Sequence, residues 1–211
     1  MIPKGECPME QLRMQAQFQN YTALLRARLS KKRFVHSVNV AESARELAVR
    51  WNADPDWAYL AGLLHDCCKE LPAEEQEALM RSGSFDVEDV EWLCKPVWHG
   101  IAAAAYMQFE LGIENHEVLS AARWHTVAHA NMTLLEEIVY MADLISADRT
   151  YRDVERIRKL AFSDLQKGML AGVEFAVESV LKKGTPLPIC TAQAYNYYLQ
   201  RIAARPKGNS K

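Results

Sequence analysis

The chain has no apolar run approaching the ~18–20 residues that a bilayer-spanning helix needs, so nothing in it reads as a membrane segment. It has no excess of either charge. Lys+Arg 25 against Asp+Glu 27 leaves a net charge of -2, and no global basic field exists to hold nucleic acid. Its five cysteines, Cys7, Cys67, Cys68, Cys94 and Cys190, are odd in number and form no C-x-x-C. That argues against a disulfide framework and for a reducing cytoplasm. Residues 1–11 contain no apolar h-region, so no secretory leader is expected there. There is no internal repeat and no linker rich in Gly, Pro or Ser. No stretch sustains period-2 alternation, so no strand is expected. Between Val97 and Thr185 there is no proline at all.

What is present fits a folded helical chain. Of 211 residues, 49% are hydrophobic and 25% charged, enough to bury a core and too few charges for disorder. The proline-free stretch is rich in Ala, Leu, Glu and Met, which favour helix. Asp54-Pro55 reads as an N-cap followed by a first-turn proline, and Thr133-Leu-Leu-Glu136 as a capping box. The expectation is an all-α, single-domain helical bundle over 18–202. Residues 1–17 form an N-terminal extension with helical potential, and 203–211 a flexible tail.

Five apolar stripes at i, i+3, i+4, i+7 spacing each carry a polar residue toward the core. The first is Val40, Ala44, Leu47, Ala48 and Trp51, with His36 one turn before it. The second is Trp57, Leu60, Ala61 and Leu64, continued by His65 and Cys68. The third aligns His99 with Ala102, Ala103, Tyr106 and Met107. The fourth is Val118, Ala121 and Ala122, then His125. The fifth is Leu135, Ile138, Val139 and Ala142, with Asp143 at its end. A single inward histidine is usually satisfied by a carbonyl. Four histidines and an aspartate from five separate helices are another matter, because each buried carboxylate or imidazole costs several kcal/mol unless paired or metal-bound. A shared metal centre is the economical reading. Imidazoles with carboxylates suit Fe, Mn, Zn or Ni, and a thiol-free set argues against a structural zinc site.

These residues also carry a resemblance. His36, the pair His65-Asp66, and Asp143 resemble the H…HD…D pattern of the HD-domain metal-dependent phosphohydrolases, and His99 and His125 match the subset with two metals. The surroundings Arg33-Phe-Val-His36-Ser, Ala61-Gly-Leu-Leu-His65-Asp66-Cys-Cys-Lys69, Trp98-His99, His125-Thr126, Asn131-Met132-Thr-Leu-Leu-Glu136, Ala142-Asp143…Arg149 and Tyr195-Asn196 resemble the YqeK family of bacterial proteins, from roughly Phe18 to Arg201. The resemblance implies symmetrical hydrolysis of diadenosine tetraphosphate to two ADP. It implies a first metal on His36, His65, Asp66 and Asp143, and a second on His99 and His125 with Asp66 bridging. It implies iron, with Mn, Ni, Co or Zn as alternatives. A bridging hydroxide would attack phosphorus while the metals stabilise charge on the phosphoryl oxygens. ADP leaves as a stable anion, so no strong general acid is required. Asp66, Lys69 and Arg149 are the catalytic candidates, and Arg33, Lys69, His129 and Arg149 the substrate contacts.

The chain departs from the family at two places. Ala128-His129 stands where Gly-Arg is usual, with His129 a weaker, pH-dependent donor, and Ser146-Ala147 stands where Glu-Pro is usual. Both lie outside the six ligand positions and so touch specificity. Other features read as ordinary structure. Cys67 and Cys68 are small core fillers, and His116 is exposed. The basic run Arg26, Arg28, Lys31, Lys32, Arg33 is a solvated helix face with Arg33 kept as a phosphate contact. The rival readings are a nucleotidase or cyclic-nucleotide phosphodiesterase on the same centre, a non-catalytic nucleotide-binding module, and a redox switch at Cys67-Cys68. The expected partner is a dinucleoside polyphosphate or another nucleotide, without nucleic acid or membrane, and a homodimer is left open.

Overall fold

The structure, a computed structural model, describes the backbone of residues 8–83 and 85–205 and the side chains from residue 14 onward. Residues 206–211 of the expected tail, and residues 1–7 with Cys7, lie outside the described residues. Among the described residues the chain is helical throughout, with no strand. The helices are α1 (Pro8–Arg28), α2 (Lys31–Trp51), α3 (Pro55–Leu64), α4 (Ala73–Ser82), α5 (Asp89–Trp92), α6 (Trp98–Phe109), α7 (His116–Trp124), α8 (Leu134–Ile145), α9 (Val154–Ser163), α10 (Leu165–Lys183) and α11 (Ile189–Ala203), with one 3-10 turn at Lys95–Val97. Among the described residues no helix is long and apolar enough to cross a membrane.

The expected punctuation is present. Asp54 accepts from the backbone N–H groups of Asp56 and Trp57 ahead of Pro55. Thr133 and Glu136 close a reciprocal capping box at the start of α8. Each such cap satisfies donors that a helix start otherwise leaves unpaired.

Helix α3 is the centre of the molecule. Six of its residues, Ala58, Leu60, Ala61, Gly62, Leu63 and Leu64, are buried, because it is apolar nearly all round and so needs neighbours on every side. It packs on α1, α2, α7 and α8. Its closest approach is to α2, where a Cβ on Gly62 would sit 3.0 Å from Ala41 Cα. Helix α6 packs on α4 and α7, and α10 on α8, α9 and α11.

The second stripe departs from expectation at its end. Helix α3 stops at Leu64, and residues 65–70 continue as tight turns with Cys67 N–H bonding Leu64 O at 3.0 Å and Lys69 N–H bonding Asp66 O at 2.9 Å. The reason is geometric. Neighbouring residues on an α-helix point about 100° apart, so a regular helix cannot aim both His65 and Asp66 at one centre. The turn is pinned to the start of α2 through Glu70, whose carboxylate accepts from Ser30 N–H and Ser30 Oγ, each at 2.7 Å.

A buried ion pair joins α5 to α7. Arg123 Nη2 lies 2.7 Å from Glu91 Oε2, and it also donates to Asp86 O at 3.1 Å. Trp98 Nε1 donates to Glu91 O at 2.9 Å, so the same short helix fixes the entry of α6.

Candidate metal centre

Five helices deliver six side chains to one place. His36 comes from the second turn of α2, His65 and Asp66 from the turn after α3, and His99 from the first turn of α6. His125 caps the end of α7, and Asp143 lies in the last turn of α8. The four histidines and Asp66 are buried, at 4% exposure or less.

Asp66 stands between two groups of histidines. Its Oδ2 lies 3.4 Å from His65 Nε2 and 3.7 Å from His36 Nε2. Its Oδ1 lies 3.2 Å from His99 Nε2 and 3.6 Å from His125 Nε2. Asp143 closes the first group, with Oδ1 2.9 Å from His36 Nε2 and 3.9 Å from His65 Nε2. In the second group, His99 Nε2 and His125 Nε2 are 3.0 Å apart.

The outward ring nitrogens are tied down. His65 Nδ1 is 2.6 Å from Gly62 O and His125 Nδ1 is 2.7 Å from Ala122 O. A carbonyl can only accept, so each Nδ1 carries the proton and each Nε2 offers a lone pair inward. His36 Nδ1 faces Asp148 Oδ2 at 2.8 Å, and Asn39 Nδ2 donates to Asp148 Oδ1 at 3.2 Å.

Charge at the cluster is shaped by burial and by these neighbours. Burial pushes Asp66 up, but His65, His125 and His99 together hold its carboxyl well below the usual range. Burial also opposes ionisation of Asp143, and His36 and Arg149 outweigh it, so this carboxyl too stays low. Burial takes His99 down to about 4, and His125 is lowered chiefly for the same reason. The result is two ionised carboxylates beside the neutral imidazoles of His99 and His125, the protonation state that metal ligands need.

The donor set passes the test of fit to metal. His65 Nε2 and Asp66 Oδ1 are buried and have no hydrogen-bond partner, a costly arrangement that a cation relieves. Ligand atoms of His36, His65 and Asp143 lie within 4.8 Å of one another, as do those of His65, Asp66 and His125. The residues present can therefore hold divalent metal, in two adjoining sets that have His65 in common.

Three cations reach the same centre. Arg33 Nη1 lies 2.5 Å from Asp66 Oδ2. Arg149 Nη2 pairs with Asp143 Oδ1 and its Nε donates to Asp143 O at 2.7 Å. Lys69 Nζ lies 3.0 Å from His99 Nε2, and burial lowers its pKa. His129 is placed differently. Its Nδ1 is 2.8 Å from Ala130 O, its Nε2 is 3.3 Å from Glu136 Oε2, and its ring packs 4.4 Å from that of Trp124. None of these partners belongs to the cluster.

Sequence reasoning missed three contributors. Asp148 and Asn39 orient His36, and the signal available was that His36 needs a partner for its second nitrogen. Gly100 lets α6 approach α7, since a Cβ there would lie 3.1 Å from Arg123 O and 3.3 Å from the His125 ring.

Comparison with known proteins agrees with this geometry. The HD-domain family model matches residues 33–148. A Bacillus subtilis (strain 168) protein named symmetrical bis(5'-nucleosyl)-tetraphosphatase is 31% identical over 175 residues, covering 83% of this chain and 94% of its own. A Halalkalibacterium halodurans protein of the same name is 33% identical over 176 residues, with 83% and 94% covered. A crystal structure from Clostridium acetobutylicum, described as a predicted HD superfamily hydrolase involved in NAD metabolism, superposes with a TM-score of 0.83 at 34% identity. It covers 87% of this chain and 97% of its own. With the H…HD…D residues converging in one cluster and relatives of this similarity along most of its length, the chain belongs to the HD-domain hydrolases, in the YqeK-type family of the symmetrical bis(5'-nucleosyl)-tetraphosphatases.

Proposed function

We propose that this chain hydrolyses dinucleoside tetraphosphates, diadenosine tetraphosphate among them, symmetrically to two nucleoside diphosphates. His36, His65, Asp66 and Asp143 would hold one metal ion, and His99 and His125 a second, with Asp66 shared. Iron is the proposed metal, and the same donors suit Mn, Ni, Co or Zn. The observation that carries this reading is the division of Asp66, Oδ2 toward His36 and His65 and Oδ1 toward His99 and His125. Bound metal supplies Lewis acidity, which makes water a better nucleophile and neutralises charge on phosphoryl oxygens.

The chain's own residues do the rest. Arg33, Lys69 and Arg149 are the cations beside the cluster, and they would grip the phosphates as charge-assisted donors. When phosphate oxygens arrive, Arg33 and Arg149 can exchange their carboxylate partners for substrate. The leaving group is a nucleoside diphosphate, already a stable anion, so no side chain need donate a proton to it. Four buried free thiols, Cys67, Cys68, Cys94 and Cys190, suit a reducing compartment, and we place the enzyme in the cytoplasm.

The test is product analysis. Protein purified without oxygen, its metal content quantified, is incubated with diadenosine tetraphosphate and resolved by ion-exchange chromatography. ADP alone is the expected product. ATP with AMP would overturn the symmetrical cut, and no turnover by metal-loaded protein would favour a binding module or another phosphorylated substrate.

A further inference from the structure

A second cavity lies beside the metal-ligand cluster and takes no part in it. Its volume is about 150 Å³ and it is partly open. Val97, two residues before His99, and Thr126, the residue after His125, both line it. Consecutive Cα atoms are about 3.8 Å apart, so two of the lining residues lie within one or two chain steps of those two histidines. Val127, Ala176, Val180 and Pro186 supply further apolar walls, and Lys183 stands at the rim. Among its lining residues there is no carboxylate.

Two hydroxyls in this cavity are unused. Thr126 Oγ1 and Thr191 Oγ1 are buried without a hydrogen-bond partner, and Thr191 is only 4% exposed. The Cys94 thiol beside them is already directed to Pro186 O at 3.3 Å. A buried hydroxyl left unpaired is costly, and each can both donate and accept. A cavity near 150 Å³ accommodates an aromatic ring of about benzene size. Apolar walls with a few convergent polar groups are the usual form of a small-molecule site.

We propose that this cavity receives the nucleobase of a nucleotide whose phosphates lie at the metal-ligand cluster, with the Thr126 and Thr191 hydroxyls meeting the base edge. The ligand class is a planar, uncharged heteroaromatic ring that carries both donors and acceptors. This rests on the reading that the substrate is a nucleotide.

The test compares two probes on the metal-loaded full chain by calorimetric titration: ADP, which has the base, and inorganic pyrophosphate, which lacks it. ADP is expected to bind about tenfold or more tightly than pyrophosphate. Thr191→Val removes one hydroxyl at constant shape, and it should weaken ADP about fivefold while leaving pyrophosphate unchanged. Ala176→Phe fills the cavity and should bring ADP down to the level of pyrophosphate. If Ala176→Phe fails to fold, Thr191→Val with the two probes still decides. Equal affinity of both probes for the wild type, or undiminished ADP binding in the variants, would overturn the proposal. Base-dependent ADP binding by a chain that does not hydrolyse diadenosine tetraphosphate would sink the tetraphosphatase reading and leave the base site standing.

Discussion

His36 Nδ1 lies 2.8 Å from Asp148 Oδ2, and the opposite oxygen of that carboxylate is held by Asn39 at 3.2 Å. Burial opposes ionisation of Asp148, but His36, Ser146 and Asn39 outweigh it and keep the carboxyl below its ordinary value. An ionised Asp148 fixes the His36 tautomer and aims Nε2 at Asp66 and Asp143. Loss of such an outer partner typically costs 10–100-fold in metal affinity. Asp148→Ala should therefore weaken one metal by about 10–100-fold and spare the other. Asp148→Asn, which keeps a hydrogen-bonding oxygen, should fall between. Competition titration with a chromophoric chelator checks this, and two unaltered affinities would remove Asp148 from the site.

Asp66 faces both histidine groups, so its loss should be felt by both. Asp66→Ala is expected to retain less metal at each position and to lose hydrolysis by more than about 100-fold, beyond what an outer partner contributes. Elemental analysis beside the product assay reads both effects. Retained activity would refute the site assignment.

Legibility followed the physics of each feature. His36, His99 and His125 were visible because each continues an apolar stripe, and the helix period turned three distant positions into one inward set. The pair His65-Asp66 could not be placed by period alone. Both point to the centre only because α3 ends at Leu64 and the chain tightens into turns. Asp148 belongs to no motif, and only the need of His36 for a partner at its second nitrogen points to it. Nothing local in the sequence links Arg123 to Glu91, which lie 32 residues apart. Cys67 and Cys68 are buried as core fillers, and His116 is exposed, as expected.

The Arg123–Glu91 pair predicts a large stability effect away from the chemistry. Their side chains are 2% and 0% exposed. Removing one partner of a buried pair strands a charge and costs about 3–5 kcal/mol, whereas replacing both with apolar groups can be nearly neutral. Arg123→Met and Glu91→Met should each lower unfolding free energy by about 3–5 kcal/mol, and the double variant by far less than the sum. Urea unfolding of the three variants measures the coupling. Additive single losses would show that the pair is not a unit.

His129 occupies the position where the family resemblance leads one to expect arginine, and here it engages Glu136 at 3.3 Å. Burial lowers the His129 pKa, but Glu136 and the Ala130 carbonyl outweigh it, so the group is raised above 6.5. Burial likewise opposes ionisation of Glu136, and His129, Ser120 and the Thr133 N–H bring it below 4.5. The signs fix a window. Stabilisation from a raised histidine is complete below 6.5 and is lost as pH rises through the folded value. Stabilisation from a lowered carboxyl is complete above 4.5 and is lost as pH falls through the folded value. The stability difference between wild type and His129→Ala should therefore be greatest between those limits and shrink toward alkaline pH. Denaturant unfolding across this range measures it. A difference that stays flat across the histidine titration would mean that His129 contributes by packing on Trp124 rather than by its charge.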